Sequence, residues 1–510
     1  MEENKPEKDP ELWNDSKEEE MKTISLKRHL WPDEEALRKE KKKNKKLRIV
    51  LIVSIIVCFA AGFIARPYIM AISSGTTDSA DKIQKALSIM ENDWYFGKDI
   101  DNLDERLTDQ AVSGITNNKE DTHTEYMTAD EMKDFTDSIN RNYVGIGVEF
   151  INTDGKAIID KVFRDSPAEK AGVQAGDIIH TVNDEDITGY TSDKIKELVQ
   201  GKEGTSVTIG FIRQGKNIAL KITRAAVSAS TFGEMKDNGI AYLQLYQFGE
   251  TTPDLVKAYL DDFKKENATK LIIDLRDNGG GYLDSVSEIA SCFLPKGSTV
   301  LQQEFKNGDK RVTKTSDEQY SDLGPVVILV NENTASAAEV LTLALSQQRE
   351  DVTVMGTTTY GKGTVQVSTQ FTDGSALKYT TSRWLSPKGD WINGKGITPD
   401  EEVKLPDVFY ETFAGMKDDE TYAYDSVGDA VKDAQMCLSY LGYTVDRKDG
   451  YFSQSTQDAL RQFQSDHSLS GDGVLNEETY SSLRSAVLLS YETDDTKDTQ
   501  LMKAEEKLNG

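Results

Sequence analysis

The stretch "LIIDLRDNGGGYL" (271–283) joins an apolar run to three consecutive glycines, and a segment with helical spacing follows it. A short apolar run that ends in a glycine turn is typical of a buried strand. Strand-like and helix-like segments alternate on both sides, from "GIAYLQL" (239–245) to "PVVILV" (325–330). This alternation predicts an α/β layer with a largely parallel sheet. We therefore expect an α/β domain over residues 227–405.

The three glycines, Gly279 to Gly281, are more than a plain strand-to-helix turn requires. Glycines let backbone N–H groups face a developing oxyanion, and each such donor is worth roughly 3–4 kcal/mol in acyl transfer. A dinucleotide site is a poor alternative, because the spacing G-x-G-x-x-G is not present in this loop. The loop therefore indicates an oxyanion-binding turn.

A serine, Ser336, follows the last apolar run in "NENTASAAEV" (331–340), directly before a helix-like stretch. A serine on a turn between a buried strand and a helix has the position of a nucleophile. The usual base is missing, since none of the chain's four histidines lies within residues 227–405. They are His29, His123, His180 and His467.

A lysine supplies the alternative base, in "GTTTYGKGTVQ" (356–366). Lys362 can act as a general base if burial lowers its pKa from about 10.4 toward neutrality. Glycines on both sides allow close approach of the backbone, and the amide oxygen of Gln366 can hold the amine in place. Ser–Lys pairs are a known substitute for Ser–His pairs.

Two other interpretations of this lysine segment were considered. It nearly matches a phosphate-binding loop, but Gly363 stands where that loop needs Ser or Thr, and a strand-like run follows instead of a helix. For either residue alone, an exposed lysine in a glycine turn and a helix-capping Ser336 would be the ordinary interpretation. The glycine loop at 279–281 favours a catalytic site.

Four ordered motifs in the chain resemble those of the carboxyl-terminal processing peptidases, which are serine peptidases with a Ser–Lys dyad. The motifs are "DLRDNGGGYL", "TASAAE", "GTTTYGKGTVQ" and "RWLSPKGDWINGKGITPD", within a resemblance that covers about residues 80–405. The resemblance implies a ClpP/crotonase-like α/β core. It also implies Ser336 as the nucleophile, Lys362 as the general base, and Gln366 as the residue that orients the lysine.

The same resemblance assigns the oxyanion hole to the backbone N–H groups of Gly280 and Ala337. The chain departs from the family at Gly279, where proline is common, so the choice among the three glycines is open by one position. A second departure is "EDTHTEYM" (120–127), where the family usually has Asp-Pro-His-Ser. We interpret that segment as structural.

Residues 141–226 carry short strand-like runs and resemble a PDZ domain. Backbone N–H groups of the loop "VGIGV" (144–148) are expected to receive a peptide carboxylate, and the next strand to pair with the peptide. "SPAEKAGVQAGDII" (166–179) is the matching helix and turn; a structural domain without ligand is the alternative. The predicted peptide-binding residues are Val144, Gly145, Ile146, Gly147 and Val148.

Residues 425–488 have a compact helical pattern that resembles a peptidoglycan-binding domain. Its most recognisable part is "DGYFSQSTQDALRQFQ", in which Leu460 and Phe463 are expected core residues. His467 has no His or Cys partner nearby, so no metal site is predicted.

A basic run, "RKEKKKNKKLR" (38–48), precedes the uncharged apolar stretch 49–65. That stretch is about 25 Å long as a helix, enough to cross a bilayer. The basic flank predicts a cytoplasmic N-terminus, with residues 66–510 outside. A buried core helix and a cleaved signal peptide are the alternatives. Isolated cysteines make no disulfide framework, which suits a Gram-positive surface.

The predicted fold class is therefore multidomain, with an α/β peptidase core, an inserted or adjoining PDZ domain, a helical N-terminal region, a small all-α C-terminal domain and one transmembrane helix. The predicted boundaries are a cytoplasmic leader at 1–48, the membrane helix at 49–65, a linker at 66–81, the helical region at 82–140, the PDZ domain at 141–226, the peptidase at 227–405, a linker at 406–424, the wall-binding-like domain at 425–488 and a solvated tail at 489–510.

The predicted function is that of a membrane-anchored, extracellular serine endopeptidase that cuts proteins near their carboxyl terminus. The alternatives are a silent PDZ and wall-binding scaffold, and a peptidoglycan-cleaving enzyme. The expected partners are substrates with free C-termini, peptidoglycan and the membrane through one helix; a homodimer is left open. No cofactor is expected, and a net charge of -27 argues against nucleic acid.

Overall fold

The structure is a computed structural model, and it describes residues 78–117, 119–153, 156–316, 323–417 and 419–510. The described chain forms two compact units, which comprise residues 78–108 and 109–510. The N-terminal region is helical, as its sequence pattern predicts. It contains α1 (Asp78–Asn92), α2 (Leu103–Thr116) and, after the short strand β1 (Glu125–Met127), α3 (Ala129–Asn140).

A β-rich domain follows and corresponds to the predicted PDZ-like region. Its elements are β2 (Asn142–Gly145), β3 (Val148–Thr153), β4 (Lys156–Val162), α4 (Pro167–Ala171), β5 (Ile178–Val182), β6 (Glu185–Asp186), α5 (Ser192–Val199), β7 (Ser206–Arg213), β8 (Lys216–Thr223) and β9 (Ala225–Ser228). The main sheet has the order β3-β4-β5-β7-β8, with β6 on β5. Strands β2 and β9 pair antiparallel, so the chain enters and leaves the domain at one place.

The α/β core comes next, with strands and helices in alternation as the sequence predicts. Its elements are β10 (Thr231–Met235), β11 (Ile240–Leu245), α6 (Thr252–Lys265), β12 (Lys270–Asp274), α7 (Leu283–Ser291), β13 (Thr299–Phe305), β14 (Lys310–Lys314), β15 (Val326–Val330), α8 (Ala337–Ser346), β16 (Val352–Gly356), β17 (Thr364–Gln370), β18 (Ala376–Leu385) and β19 (Glu401–Glu402).

Two sheets organise this core. The larger one has the order β10-β11-β12-β15-β16-β19 and is parallel from β11 to β19, while β10 is antiparallel to β11. Its central strand β15 is buried at every position, which explains its continuous apolar sequence. The second sheet has the order β1-β18-β13-β14, and β17 also pairs with β18. Helix α8 follows β15 and packs against β13 and β16. The turn before it contacts the loop after β12, because the Ala335 N–H donates to the backbone carbonyl of Asn278.

A small helical domain follows, built from α9 (Asp429–Tyr440), α10 (Gln454–Asp466) and α11 (Glu477–Thr493). The two core residues predicted from the helical stripe, Leu460 and Phe463, are fully buried in it. The preceding residues 406–424 are more than a linker, because Phe409, Phe413 and Tyr422 pack against the core of this domain.

The last segment differs from the solvated tail that its polar composition predicts. It contains a final helix, α12 (Thr499–Asn509), which is capped by Asp498. Leu501, Ala504 and Leu508 form one face of this helix and are buried against β11, β12, β15 and β16. Three apolar residues at helical spacing are enough to cover this face of the sheet.

The predicted fold class needs one correction. Over the described ranges, from residue 78 onward, the structure contains no helix with the length and apolar character that a membrane crossing requires. The stretch 49–65, for which the sequence predicts a membrane helix, lies outside the described residues. The transmembrane helix in the predicted fold class is therefore not part of the fold that the described residues show.

Candidate active site

Ser336 occupies a strained turn between β15 and α8. Its φ of 56° and ψ of -115° lie in a region that non-glycine residues rarely adopt. The turn is held in place by Thr334, whose hydroxyl donates to the carbonyl of Leu275 at 2.8 Å and accepts from the N–H of Asn331 at 2.9 Å. Such strain at a helix N-terminus is typical of an exposed catalytic nucleophile.

The glycine loop touches this turn at Gly280. A Cβ atom at Gly280 would lie 2.8 Å from the Cβ of Ser336 and 2.9 Å from the nitrogen of Ala337, and its φ is 106°. A Cβ at Gly281 would instead meet Phe248, and one at Gly279 would meet nothing within 4 Å. Of the three glycines, Gly280 is therefore the one that lies against the nucleophile, as the resemblance implies.

The two N–H groups assigned to the oxyanion hole differ in their hydrogen bonds. The Ala337 N–H has no acceptor among the described residues, so it is available to a ligand. The Gly280 N–H donates to the side-chain oxygen of Asn278 at 2.8 Å. Asn278 is fully buried, and its carbonyl accepts the Ala335 N–H at 2.9 Å. Asn278 therefore orders the glycine loop, and its side-chain oxygen competes with an oxyanion for the Gly280 N–H. The sequence did not single out this residue.

Lys362 lies half-buried on the loop before β17. Burial lowers the pKa of its amine, and the positive charge of Lys378 lowers it further. The carboxylates of Glu125 and Glu339 act in the opposite direction. The net direction is that required of a general base, because a larger fraction of the amine is neutral at a given pH.

The loop around Lys362 is fixed by the fourth sequence motif. The indole N–H of Trp384 donates to the carbonyl of Lys362 at 2.7 Å, and that of Trp391 to the carbonyl of Gly363 at 3.1 Å. The N–H of Gly363 in turn donates to the side chain of Asn393 at 3.0 Å. These bonds explain why the motif "RWLSPKGDWINGKGITPD" accompanies the lysine.

The buried carboxylate of Glu339 joins the nucleophile turn to the lysine loop. Its Oε2 accepts the N–H of Ser336 and the N–H of Lys362, each at 2.9 Å, and its Oε1 accepts the N–H of Gly361 at 2.7 Å and the hydroxyl of Thr359 at 2.6 Å. The sequence analysis missed this residue, although a Glu three positions after a helix-capping Ser is a recognisable signal.

The two residues of the predicted dyad share this carboxylate through their backbone N–H groups, but their side chains do not bond to each other. In the described part of the chain, no hydrogen bond joins the Ser336 hydroxyl to the Lys362 amine. Catalytic hydrogen bonds are often long in unliganded enzymes and tighten with substrate. The main-chain N–H groups of both residues are held by one acceptor without any substrate present.

Gln366 does not bond to the lysine in this structure. Its amide nitrogen donates to the hydroxyls of Thr364 and Thr380, each at 3.0 Å. The register between β17 and β18 shifts between Val365 and Gln366, and the amide nitrogen of Gln366 is directed at these two threonines. An orienting role for Gln366 stays a prediction.

The segment 120–127, which departs from the family's usual Asp-Pro-His-Ser, lies near Lys362. Burial lowers the pKa of the His123 imidazole, and the positive charge of Lys362 lowers it further. Asp121 accepts the Thr124 hydroxyl at 2.6 Å, and the Thr124 hydroxyl accepts the N–H of Thr380 on β18 at 3.2 Å. The segment therefore packs against the strand that carries Thr380, and His123 lies within electrostatic range of the Lys362 amine.

The predicted peptide-binding loop adjoins an edge strand of the sheet, β3, against which helix α11 lies. In the sheet order given above, β3 lies at the end and pairs with β4. Gly147 has a φ of 83°, and a Cβ there would collide with the side chain of Ser166. Ile146 is buried, and its carbonyl accepts the Ala168 N–H at 2.8 Å. This geometry leaves an edge strand next to a tight glycine turn, as β-augmentation requires.

Comparisons with known families agree with this architecture. Residues 239–403 match peptidase family S41, residues 144–223 match the PDZ domain, and residues 427–483 match a peptidoglycan-binding domain. The fold and the site therefore define a serine endopeptidase with a PDZ domain.

Relatives identify the family over nearly the whole chain. The carboxy-terminal processing protease CtpA of Bacillus subtilis is 35% identical over 473 residues, which cover 92% of this chain and 99% of that protein. CtpB of the same organism is 35% identical over 435 residues, with coverages of 83% and 88%. The chain thus belongs to the carboxy-terminal processing proteases of peptidase family S41. A solved structure, the photosystem II D1 C-terminal processing protease, is 22% identical, with 64% and 94% coverage and a TM-score of 0.38.

Proposed function

We propose that this protein is a wall-facing endopeptidase that cuts protein substrates near their carboxyl terminus, with Ser336 as the nucleophile and Lys362 as the general base. The observation that carries the proposal is the arrangement around Glu339. One buried carboxylate holds the N–H of a strained serine and the N–H of a lysine whose pKa is lowered. A structural role alone gives no reason for both features to meet at one point.

In the proposed reaction, the neutral Lys362 amine removes the Ser336 proton as the serine oxygen attacks the scissile carbonyl. The carbonyl oxygen becomes an oxyanion, and the free N–H of Ala337 donates to it. Lys362 then returns the proton to the leaving amine, and an acyl-enzyme forms. Water attacks the acyl-enzyme with the same lysine as base, which releases the new carboxylate and restores the serine.

The Gly280 N–H can serve as the second oxyanion donor if its hydrogen bond to the side-chain oxygen of Asn278 breaks or becomes bifurcated. A developing negative charge is a stronger acceptor than a neutral amide oxygen, so the transition state favours this exchange. The exchange makes the second donor more important in the transition state than in the ground state, which is the condition for an effect on kcat.

The PDZ domain is proposed to bind the free carboxyl end of the substrate at residues 144–148, and the domain at 427–483 to attach the enzyme to peptidoglycan. The supporting features are the position of β3 at the end of its sheet, the glycine turn beside it, and the two family matches. Attachment to peptidoglycan places the enzyme outside the cytoplasmic membrane, where the wall is accessible.

The test is cleavage of an unstructured protein by the full chain and by three variants. Ser336→Ala and Lys362→Arg should both abolish cleavage. Lys395→Arg, a matched change at an exposed lysine of the neighbouring loop, should not alter it. Cleavage products should appear first from the carboxyl-terminal end. Equal activity of wild type and Ser336→Ala would reject the proposed nucleophile, and no activity in the wild type would favour the scaffold alternative.

A further inference from the structure

Arg276 lies at the start of the glycine loop, two residues after β12 ends at Asp274. Its side chain is only 9% exposed, and its guanidinium bonds to Asp274, with Nη2 to Oδ2 at 2.6 Å. Asp274 is fully buried and also accepts the hydroxyl of Tyr242 at 2.8 Å. The chain runs from this arginine through Asp277 and Asn278 to Gly280, so the position of Arg276 helps to set the path of the loop.

The other side of the guanidinium is held by the last segment of the chain. Nη1 of Arg276 forms an ion pair with Asp498 at 2.7 Å and hydrogen bonds to the hydroxyl of Tyr491 at 3.2 Å and to the side-chain oxygen of Gln500 at 3.1 Å. Tyr491 itself donates to Asp498 at 3.3 Å. These partners lie more than two hundred residues away in sequence, with Tyr491 in the last turns of α11 and Asp498 and Gln500 at the start of α12.

Asp498 has a second task in the same place. Its Oδ1 accepts the N–H groups of Gln500 and Leu501, each at 3.0 Å, and so caps α12. Helix α12 covers one face of the larger sheet through Leu501, Ala504 and Leu508. Further bonds from the cap region reach the chain before the C-terminal domain, since Gln500 donates to the carbonyl of Val403 at 2.8 Å. The segment is therefore built into the peptidase core.

We propose that Asp498, through Arg276, is a positioning residue for the oxyanion loop, and that its network with Tyr491 and Gln500 is a functional part of the peptidase. This inference rests on the proposed function, because it assumes that the loop at Gly280 serves acyl transfer. A buried guanidinium that loses one of its two carboxylates is left incompletely paired. It shifts toward Asp274 or toward water, and the loop that begins at Arg276 follows. Small displacements of oxyanion donors cost large factors in rate.

The test compares two chemically identical changes in the full-length protein. Asp498→Asn keeps an oxygen that can cap α12 but removes the charge that faces Arg276. Asp495→Asn removes a charge three residues away, from a half-exposed carboxylate that pairs with Lys236 and does not contact Arg276, and is the matched control. Tyr491→Phe is a milder second variant, since it removes only the hydroxyl between Arg276 and Asp498. Rates are normalised to the folded fraction, measured by near-ultraviolet circular dichroism.

Asp498→Asn should lower kcat at least tenfold with KM changed less than twofold, and Tyr491→Phe should lower kcat less. A peptide boronic acid, whose tetrahedral adduct places an oxygen in the oxyanion hole, should bind more weakly to Asp498→Asn by a similar factor. The pKa seen in the kcat profile should stay at its wild-type value, because the surroundings of Lys362 are unchanged. If Asp498 had only a structural role, Asp498→Asn would lower the folded fraction. The kcat per folded molecule and the affinity for the boronic acid would then stay at their wild-type values.

The inference is overturned if folded Asp498→Asn has the kcat and boronate affinity of Asp495→Asn. A wild-type protein without activity, or with activity that survives Ser336→Ala, contradicts the proposed function itself and removes the basis of the inference. An active wild type with an unaffected Asp498→Asn contradicts only the positioning role. The two failures are thus separated by the same set of proteins.

Discussion

Glu339 Oε2 accepts the backbone N–H of Ser336 and the backbone N–H of Lys362 at the same distance, 2.9 Å. The two residues that the sequence assigns to chemistry are therefore held through their main chains by one shared atom. Because the carboxylate is fully buried, these bonds are not exchanged with water. The carboxylate therefore fixes the backbone positions from which the hydroxyl and the amine extend.

Replacing this carboxylate should damage turnover more than folding. Glu339→Gln keeps the size but turns one acceptor into a donor, which opposes two of the four groups that now point at the carboxylate. We expect kcat to fall roughly ten- to a hundredfold from misplacement of the dyad. Stability should fall by about 1–3 kcal/mol for the unsatisfied buried groups. Steady-state kinetics and urea unfolding measure the two effects.

A matched control for this change is Glu332→Gln. Glu332 is exposed on the same turn and accepts a hydrogen bond from the hydroxyl of Thr357 at 2.8 Å. Its variant should have nearly wild-type kinetics and stability. A folded Glu339→Gln protein that turns over at the wild-type rate would show that the shared acceptor does not position the dyad.

The pH dependence of turnover follows from the environment of Lys362. Its pKa is lowered by burial and then by Lys378, so the neutral amine is present at lower pH than for a free lysine. We expect kcat to rise with pH along one ionisation whose midpoint lies below about 10.4. Lys362→Arg should be inactive at every pH at which it is folded, since guanidinium stays protonated. A midpoint at or above the free-lysine value would contradict a base of lowered pKa.

The same pKa shift predicts an effect on stability. Because the folded chain binds the Lys362 proton less tightly than the unfolded chain, protonation at neutral pH opposes folding, and stability rises with pH between the two pKa values. Lys362→Met removes this cost and should be more stable than wild type at neutral pH. The part of the difference that depends on charge should shrink as pH approaches the ordinary lysine pKa. Urea unfolding at several pH values measures this; a pH-independent difference would contradict it.

Much of the core could be predicted because its signals are local. The apolar strands, the three glycines before α7 and Ser336 before α8 each follow from a few neighbouring residues, and the structure contains these elements where the sequence predicts them. The match to peptidase family S41 confirms the resemblance on which the site assignments rest.

Features that depend on distant contacts could not be predicted in the same way. The register shift before Gln366 is decided by the pairing of β17 with β18, which spacing along the chain does not reveal. The polar composition of the last segment predicts a solvated tail, because the charged residues of α12 outnumber Leu501, Ala504 and Leu508. The packed helix α12 was therefore not predicted. The capping Asp498 and the helical spacing of those three residues were the available signals.

The proposed wall attachment predicts binding to purified peptidoglycan sacculi. Full-length Ser336→Ala should sediment with sacculi and not with crystalline cellulose. A variant in which a flexible linker replaces residues 427–483, with residues 484–510 retained for the peptidase core, should stay in solution. Equal sedimentation of the two proteins would mean that this domain does not attach the enzyme to the wall.

The proposed recognition of a free carboxylate is tested first on the substrate. Matched peptides that end in a free acid or in an amide should differ in kcat/KM roughly ten- to a hundredfold. The reason is that the free acid can form a charge-assisted hydrogen bond that the amide lacks. Such a bond contributes about 1.5–3 kcal/mol to binding. A ratio near one would show that the chain end is not selected by its charge.

The 144–148 loop can then be tested with two Gly→Ala substitutions that introduce the same backbone strain. Gly147 and Gly172 have φ values of 83° and 82°, so alanine is strained at both. A Cβ at Gly147 collides with Ser166, whereas one at Gly172 meets nothing within 4 Å. Gly147→Ala should therefore distort the 144–148 loop and bring the acid-to-amide ratio close to one, while Gly172→Ala should keep the wild-type ratio. If both variants retain that ratio with the Gly147→Ala protein folded, the carboxylate is bound elsewhere than at this loop.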